Sequence, residues 1–413
     1  MSFPEIEVLT SFVSKIFKIE TVTTGKTNEW IVQYHGHFLN EDTLTAYDQL
    51  AEALRPYKVM PLFRKEEDGK PVIFLAASLP ELPPLAKPHI NLILFILSIF
   101  SAMLVGVHVP PEIAAATDAS PIIYMLTHIY MGWPFALAMM GILLAHEMGH
   151  YLACRYYKIP ATLPFFIPMP IVSPFGTLGA FIAMRGIPKN KRILFDVGVA
   201  GPLAGLVVAV PVLLYGLSVA SLGPVPAAHS GVAGMLEGNS LFYLFSKYLI
   251  FGKLLPEPAT MNGLSPFVYW LQYVFSGHPI PYGGLDVQID SGGAIAWAGW
   301  GGLLVTALNL VPVGTLDGGH VVYGLFGEKA RKFFPVAIGL LIAFSILPVI
   351  LTFSFSAFNF SWLLWVAILF WLGNVRTTPL DDITPLDTKR RVLGFIVLII
   401  FILIFTPIPL VSY

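Results

Sequence analysis

Cysteine and charge are both scarce in this chain of 413 residues. A single cysteine, Cys154, is present, so no intrachain disulfide framework can form. Only 12% of the residues are charged while 56% are hydrophobic, and the mean hydropathy is +0.74, which excludes an ordinary soluble domain of this length. The formal net charge of -1 provides no basic surplus for a nucleic-acid-binding role. These shortages predict an integral membrane protein.

Charge is not scarce in the first part of the chain, and residues 1–88 are predicted to form a cytoplasmic α+β domain. Apolar residues at helical spacing predict a helix over 4–18, and a strand follows over 30–34. Asn40 is a candidate N-cap for a second helix, and two apolar runs around the Asp68-Gly69 turn predict a hairpin. The beginning of the chain lacks a basic segment followed by an apolar core, so we expect neither a secretory signal nor a transit peptide there.

The remainder, residues 89–413, is predicted to be embedded in a membrane and to follow a Pro-rich linker around 80–84. About seven segments are apolar and long enough to cross a bilayer. They lie near residues 90–107, 134–156, 194–218, 293–312, 332–352, 360–374 and 391–409. The predicted fold class is therefore a polytopic α-helical membrane protein with a small N-terminal soluble domain.

Lysine and arginine are distributed unevenly between the loops that join these segments. Basic clusters occur around 155–158, 185–192, 329–332 and 376–391, whereas 108–132 and 353–360 contain no lysine or arginine. Because short cytoplasmic loops carry an excess of basic residues, this pattern predicts a cytoplasmic N-terminus and an external C-terminus. Residues 219–292 would then be an external insertion, in which the apolar piece 241–255 is interpreted as an interfacial or re-entrant helix.

The stretch 162–184 is apolar, but its four prolines and two glycines, Gly176 and Gly179, are incompatible with a regular helix. Non-helical backbone at membrane depth persists only against protein or a wet cavity. We therefore interpret this stretch as a re-entrant loop or hairpin that lines an active-site cavity. A hydrophobic loop at the membrane surface is the alternative.

The pentapeptide His146-Glu147-Met148-Gly149-His150 lies inside the second apolar segment. Two histidines four residues apart lie about 6 Å apart along one helix face, so both can bind one metal ion. A carboxylate next to the first histidine is placed to activate a metal-bound water, which is typical of metallopeptidases. Ionisable residues at membrane depth are costly and indicate function.

A catalytic zinc site needs a third protein ligand, and Asp317 is the best candidate. It follows the fourth apolar segment, at the same cytoplasmic depth that the topology gives to His146 and His150. Glu147 would serve as the general base, and Asn309 is an amide within a span that could bind the substrate backbone or the oxyanion. We interpret His320 as a neighbour of this site and not as a ligand.

These residues give the chain a resemblance to the site-2 protease family of intramembrane zinc metalloproteases. The HExxH motif of that family is matched by His146, Glu147 and His150. Its NxxPxxxLDG motif is matched at Asn309, Pro312, Leu316, Asp317 and Gly318. Segments 176–180 and 201–205 resemble the branch that lacks a PDZ domain and includes plant chloroplast and prokaryotic members.

The resemblance implies one zinc ion bound by His146, His150 and Asp317, with Glu147 as the catalytic residue. It also implies a membrane-spanning protein segment as substrate. We expect such a segment to unwind and to be held by strand addition to the hairpin, so that Gly176, Gly179 and Asn309 are the candidate substrate-binding residues. The expected partners are this substrate and the lipid bilayer, and the expected location is a prokaryotic cell membrane.

Other classes of protein are compatible with parts of this pattern. A metal-dependent transporter would need ionisable residues on several spans, and the other spans are nearly free of them. A catalytically inactive scaffold would have no use for Glu147. Two histidines and one carboxylate also suit Fe(II), although oxygenases do not need the adjacent glutamate, which favours zinc.

Overall fold

The structure is a computed structural model of the chain. It describes residues 5–25, 30–66, 68–77, 87–110, 113, 120–170, 172–227, 235–261, 263–288, 291–353, 358, 360–372 and 378–412. The predicted linker at 80–84 lies outside these residues.

The N-terminal domain is a four-stranded antiparallel sheet packed against two helices. Its elements are α1 (Ile6–Val13), β1 (Phe17–Thr24), β2 (Val32–Phe38), α2 (Thr43–Leu54), β3 (Val59–Lys65) and β4 (Pro71–Ala77). The strand order is β1-β2-β4-β3, and the predicted hairpin is the β3–β4 pair.

Two details of this domain differ from the sequence-based prediction. The first helix ends at Val13 and not at residue 18, because β-branched residues predominate from Ile19 onward and favour the strand β1. The N-cap of α2 is Asp42 and not Asn40, since the Asp42 side chain accepts a hydrogen bond from the backbone N–H of Thr45 at 3.1 Å.

The rest of the described chain is mainly helical, with short antiparallel strand pairs at its edges. The helices are α3 (Pro88–Val105), α4 (Ser120–Thr127), α5 (Trp133–Tyr156), α6 (Lys191–Val219), α7 (Leu241–Phe251), α8 (Pro266–Ser276), α9 (Ser291–Asn309), α10 (Asp317–Phe326), α11 (Phe333–Thr352), α12 (Phe360–Leu372) and α13 (Thr388–Ile404). The strands are β5 (Phe165–Pro168), β6 (Thr177–Phe181), β7 (Leu222–Pro224), β8 (Met235–Glu237), β9 (Leu285–Val287) and β10 (Leu410–Ser412). The pairs are β5 with β6, β7 with β9, and β8 with β10.

Four helical stretches of the described residues are long and apolar enough to cross a membrane: Pro88–Val105, Ile129–Tyr156, Lys191–Val219 and Asp317–Thr352. A helix occupies each of the seven predicted segments, but α9, α12 and α13 are not among these four. The helices α12 and α13 have only 13 and 17 residues, and α9 is rich in glycine and alanine. The arrangement of seven spans therefore stays a prediction.

The stretch 162–184 forms an antiparallel hairpin of β5 and β6, and Ala161 and Met184 close it with a further bridge. Its turn docks on neighbouring helices. The Ser101 hydroxyl of α3 donates a hydrogen bond to the carbonyl of Gly176, and the Phe175 ring lies 6.0 Å from Trp300 of α9. The hairpin is thus held between α3 and α9.

The two ends of the helical part carry different structures. At one end, the backbone of β3 in the N-terminal domain pairs with the segment 378–384: the N–H of Phe63 donates to Leu380, and the N–H of Asp382 donates to Phe63. The N–H of Asp381 also donates to the carbonyl of Lys189, just before α6. At the other end, β10 near the chain terminus pairs with β8 of the 219–292 segment.

Candidate metal centre

The metal-binding side chains predicted from the sequence meet in the structure. His146 and His150 lie on one face of α5, and Asp317 is the first residue of α10. The Nε2 atoms of the two histidines are 3.2 Å apart. The Oδ2 atom of Asp317 lies 3.3 Å from His146 Nε2 and 3.2 Å from His150 Nε2. Three potential ligand atoms thus form a nearly equilateral triangle.

This triangle can be compared with the geometry of metal sites. Zinc bonds of about 2.0–2.1 Å at tetrahedral angles place ligand atoms about 3.3–3.4 Å apart. The same bond lengths at the right angles of an octahedral facial triad would place them about 2.9 Å apart. The observed separations of 3.2 to 3.3 Å lie closer to one face of a zinc tetrahedron. Such a face leaves the fourth position open.

The surroundings select the tautomer of His150. Its Nδ1 lies 2.8 Å from the backbone carbonyl of Val197 on α6, and a carbonyl only accepts. A proton therefore lies on Nδ1, and in the neutral imidazole the Nε2 lone pair is directed toward Asp317 and His146. Orientation of a ligating imidazole through its other nitrogen is a common feature of metal sites.

Glycines on α6 make room for the histidine rings. A Cβ atom on Gly201 would lie 2.0 Å from His150 Nε2, and one on Gly205 would lie 3.2 Å from His146 Nδ1. A Cβ on Gly149 of α5 would meet the Ala200 carbonyl oxygen at 2.4 Å. Close approach of α5 and α6 therefore depends on small residues at the level of the site.

Glu147 and Asn309 also face the centre. Glu147 is 5% exposed and His146 only 3%, so the carboxylate lies in a protected environment next to the triangle. The Asn309 amide nitrogen lies 3.2 Å from His146 Nε2, at the end of α9. The chain then turns through residues 310–316 before α10 presents Asp317. Three helices, α5, α9 and α10, thus position the polar groups.

A cavity of about 200 Å³ opens beside these residues. Ala180, Phe181 and Ile182, at the end of β6, form part of its wall, and His320 lies there as well. The hairpin therefore lines the site cavity, as predicted from its prolines and glycines. Gly176 and Gly179 lie farther along the hairpin and are not among the lining residues.

The two hairpin glycines use their backbone groups within the protein. The Gly176 carbonyl accepts from Met169 N–H and from the Ser101 hydroxyl. The Gly179 N–H donates to the Thr177 hydroxyl, which in turn donates to the Gly179 carbonyl. Both have positive φ, +70° and +100°. In this structure they shape the hairpin, and substrate contact by either one stays a prediction.

Sequence reasoning missed several residues that support the site. Val197 acts through its backbone carbonyl and Gly201 through the absence of a side chain, so neither leaves a chemical signal in the sequence. Arg390 of α13 forms a bidentate ion pair with Asp196 of α6, with Nε–Oδ1 and Nη2–Oδ2 distances of 2.8 and 2.6 Å. The hydroxyl of Tyr157, which follows α5, donates a hydrogen bond to the same carboxylate. This network ties three helix ends together beside Val197.

Comparison with known proteins agrees with this geometry. The family model described as Peptidase family M50 matches residues 134–352, which is just over half of the chain. A "Probable zinc metalloprotease EGY1, chloroplastic" from Oryza sativa subsp. japonica is 30% identical over 337 residues, covering 78% of this chain and 50% of that protein. The protein of the same name from Arabidopsis thaliana is 28% identical, covering 77% and 53%.

A third relative, "Probable zinc metalloprotease EGY2, chloroplastic" from Arabidopsis thaliana, is 30% identical over 67% of this chain and 42% of its own length. The chain thus spans about half the length of the curated relatives it matches. No solved structure matches it significantly. The matched region contains α5, α6 and α10, which together build the triangle of His146, His150 and Asp317. With this match and the cluster of His146, His150 and Asp317 that could hold a metal ion, the chain belongs to peptidase family M50.

Proposed function

We propose that this chain is an intramembrane zinc metalloprotease that hydrolyses peptide bonds within the membrane-spanning segments of protein substrates. The observation that carries the proposal is the triangle of His146, His150 and Asp317 with Glu147 beside it, on helices of membrane-spanning length. His146 lies ten residues before the end of α5, which corresponds to a depth of about 15 Å along the helix. A water-soluble peptidase would have no reason to bury its centre there.

The donor set fits zinc, and His146, His150 and Asp317 would hold the ion. When bound, zinc lowers the pKa of a water ligand and polarises the scissile carbonyl. Glu147 is adjacent in sequence to His146 but is not part of the triangle, so its carboxylate could accept the proton of the attacking water while the oxygen of that water adds to the scissile carbonyl carbon. It then delivers the proton to the leaving amide nitrogen. Asn309 is placed to donate to the substrate oxygen.

Substrate engagement follows from the open edge of the hairpin. Among the described strands β6 pairs only with β5, so no described strand covers its other edge. A spanning helix hides its carbonyl groups and must unwind before cleavage, and the freed backbone groups then need new partners in lipid. Strand addition to β6 would supply these partners and guide the extended segment past Ile182 to Glu147.

The predicted topology is part of this proposal. The N-terminal domain packs at the same end as the loop before α6 and the segment before α13, where basic residues such as Lys189 and Arg390 lie. This supports a cytoplasmic position for residues 1–88. The 219–292 segment and β10 share the opposite end, which supports an external insertion and an external C-terminus for a seven-span domain. Location in a prokaryotic cell membrane stays a prediction.

The decisive experiment compares the wild type with Glu147→Gln on a transmembrane reporter in liposomes. We expect one zinc per chain in both proteins, because Glu147 is not a ligand. Cleavage should fall by about 10²–10⁴-fold in the variant, as expected when a general base is removed. Equal product from both proteins would exclude Glu147 as the base, and a wild type with bound zinc but no cleavage would contradict the proposed activity.

A further inference from the structure

A buried ionic cluster lies at the end of the molecule opposite the N-terminal domain. It consists of Glu237 next to α7, Lys247 within α7 and Asp286 in β9. The Lys247 ammonium is fully buried, 3.1 Å from Glu237 Oε1 and 3.4 Å from Asp286 Oδ1. The two carboxylates are only 6% and 2% exposed. We refer to these three residues as the ionic cluster.

The charges and hydrogen bonds of the ionic cluster are not balanced. Two carboxylates face one ammonium group. Glu237 also accepts from the Tyr243 hydroxyl at 2.8 Å, whereas Oδ2 of Asp286 has no hydrogen-bond partner among the described residues. Burial raises the pKa of Asp286, and the Lys247 ammonium opposes this shift. A buried carboxylate oxygen without a hydrogen-bond donor is energetically costly. Such an oxygen indicates that a ligand could supply the missing donor.

The ionic cluster borders a cavity of about 490 Å³. Glu237 and Asp286 both line it, and most of the remaining wall is apolar, including Phe135, Leu236 and Trp297. His108 is a further titratable group on this wall. The cavity therefore combines two carboxylates with an apolar surface, which suits a cation carried on an apolar stem. The half-buried indole of Trp297, which stacks on Trp300, adds an aromatic surface to this wall.

The position of this cavity relates it to the metal centre. Pro174, at the turn of the β5–β6 hairpin, lines the cavity, while the other end of β6 leads to Ile182 in the site. Phe135 precedes Glu147 by twelve residues on α5, a distance of about 18 Å along the helix. An extended chain covers this distance in about five or six residues.

We infer that this external cavity binds a basic side chain of the substrate, about five or six residues from the scissile bond on its external side. The inference rests on the proposed function, since it describes a specificity site for the same reaction. The substrate strand would pair with β6 and place a lysine or arginine at the cavity wall formed by Glu237 and Asp286. A metal ion is a poorer fit, because the only group of three potential metal ligands among the described residues is His146, His150 and Asp317.

The test uses the full chain in liposomes and a series of single-span reporters. Each reporter carries one lysine on the external side of the scissile bond, and its distance from that bond varies from two to twelve residues across the series. For each position, a matched reporter carries methionine in place of the lysine. We expect kcat/KM to be highest with lysine at five or six residues and at least tenfold lower with methionine there. An arginine series should peak at the same place.

Variants then assign the effect to the ionic cluster. Asp286→Asn should remove the preference for lysine over methionine, while Gln288→Met, a neutral change in the same cavity wall, should preserve it. Cleavage that is independent of lysine position in the wild type would overturn the inference and leave the proposed protease activity intact. Cleavage of no reporter would instead count against the proposed function. Because the position series needs no variant, the test holds even if Asp286→Asn does not fold.

Discussion

At the scale of single residues, the candidate metal centre depends on glycines, which leave room for the histidine rings, as much as on the side chains that could bind a metal. His146, His150 and Glu147 were predicted as site residues because the HExxH spacing places two imidazoles and a carboxylate together on one helix. Asp317 was predicted because it is an isolated carboxylate at the end of an otherwise uncharged span. The role of Val197 could not be predicted, since any residue has a carbonyl, and Gly201 was noted only as part of the segment 201–205 that resembles the family, without a role at the site.

The close contact between Gly201 and His150 gives a sharp prediction. In Gly201→Ala the new Cβ would lie 2.0 Å from His150 Nε2, so the imidazole must leave its position. We expect zinc content to fall well below one per chain and cleavage to drop by at least about 10²-fold, as for a catalytic group displaced by about 1 Å. Metal analysis and the reporter assay measure both.

The matched control for this change is Gly141→Ala on α5. A Cβ at Gly141 meets no atom within 4 Å, so zinc content and cleavage should remain at wild-type levels. If Gly201→Ala also retained full zinc and activity, the packing of α6 against His150 described here would be wrong.

At the scale of elements, apolar runs predicted helices correctly because burial in lipid or protein requires the backbone to be hydrogen-bonded internally. The hairpin was predicted for the complementary reason, since prolines and glycines exclude a helix in an apolar stretch. The strand β1 was missed because Phe17 and Ile19 continue the apolar spacing of the preceding helix, and only pairing with β2 decides between the two structures.

The hairpin glycines allow a prediction about substrate handling. Both have positive φ, so alanine at either position costs about 1–2 kcal/mol of backbone strain. Only Gly176 adds a clash, because its Cβ would lie 2.5 Å from the Ser101 carbonyl oxygen, whereas Gly179 has no atom within 4 Å. Gly176→Ala should therefore reduce cleavage much more than Gly179→Ala, with zinc retained in both.

The outcome is measured as kcat/KM on the transmembrane reporter together with zinc content. Equal cleavage by the two glycine variants would show that docking of the hairpin turn on α3 does not matter for substrate engagement. Loss of zinc in Gly176→Ala would show that the hairpin supports the metal centre itself.

At the scale of the whole molecule, the N-terminal domain is joined to the metal-binding helices through the segment 378–384. Backbone hydrogen bonds connect this segment to β3 and to the loop before α6. Asp382 then accepts from the Tyr323 hydroxyl of α10 at 2.9 Å and pairs with Lys191 of α6 at 3.4 Å. No sequence pattern indicates this arrangement, because it joins residues that are far apart in the sequence, such as Phe63 and Leu380, largely through their backbones.

This connection predicts a stability effect far from the metal. In Asp382→Ala, Lys191 and Tyr323 lose a partner at a site where the Asp382 side chain is only 11% exposed. We expect the free energy of unfolding to fall by about 1–3 kcal/mol, as for the loss of one member of a largely buried polar pair. Glu328→Ala breaks a well-exposed ion pair with Arg331 and should change stability by less than about 1 kcal/mol.

Thermal unfolding of both variants in the same detergent provides the comparison. A larger loss in Glu328→Ala than in Asp382→Ala would contradict the role given to the 378–384 segment.

The central claim is that one zinc ion is held jointly by α5 and α10. X-ray absorption at the zinc K edge, on the purified full chain and on Asp317→Ala, tests this claim most directly. We predict two imidazole nitrogens and a carboxylate oxygen at about 2.0–2.2 Å in the wild type, and loss of zinc or of the carboxylate ligand in the variant. A wild-type spectrum without imidazole ligands, or an unchanged spectrum in Asp317→Ala, would contradict it.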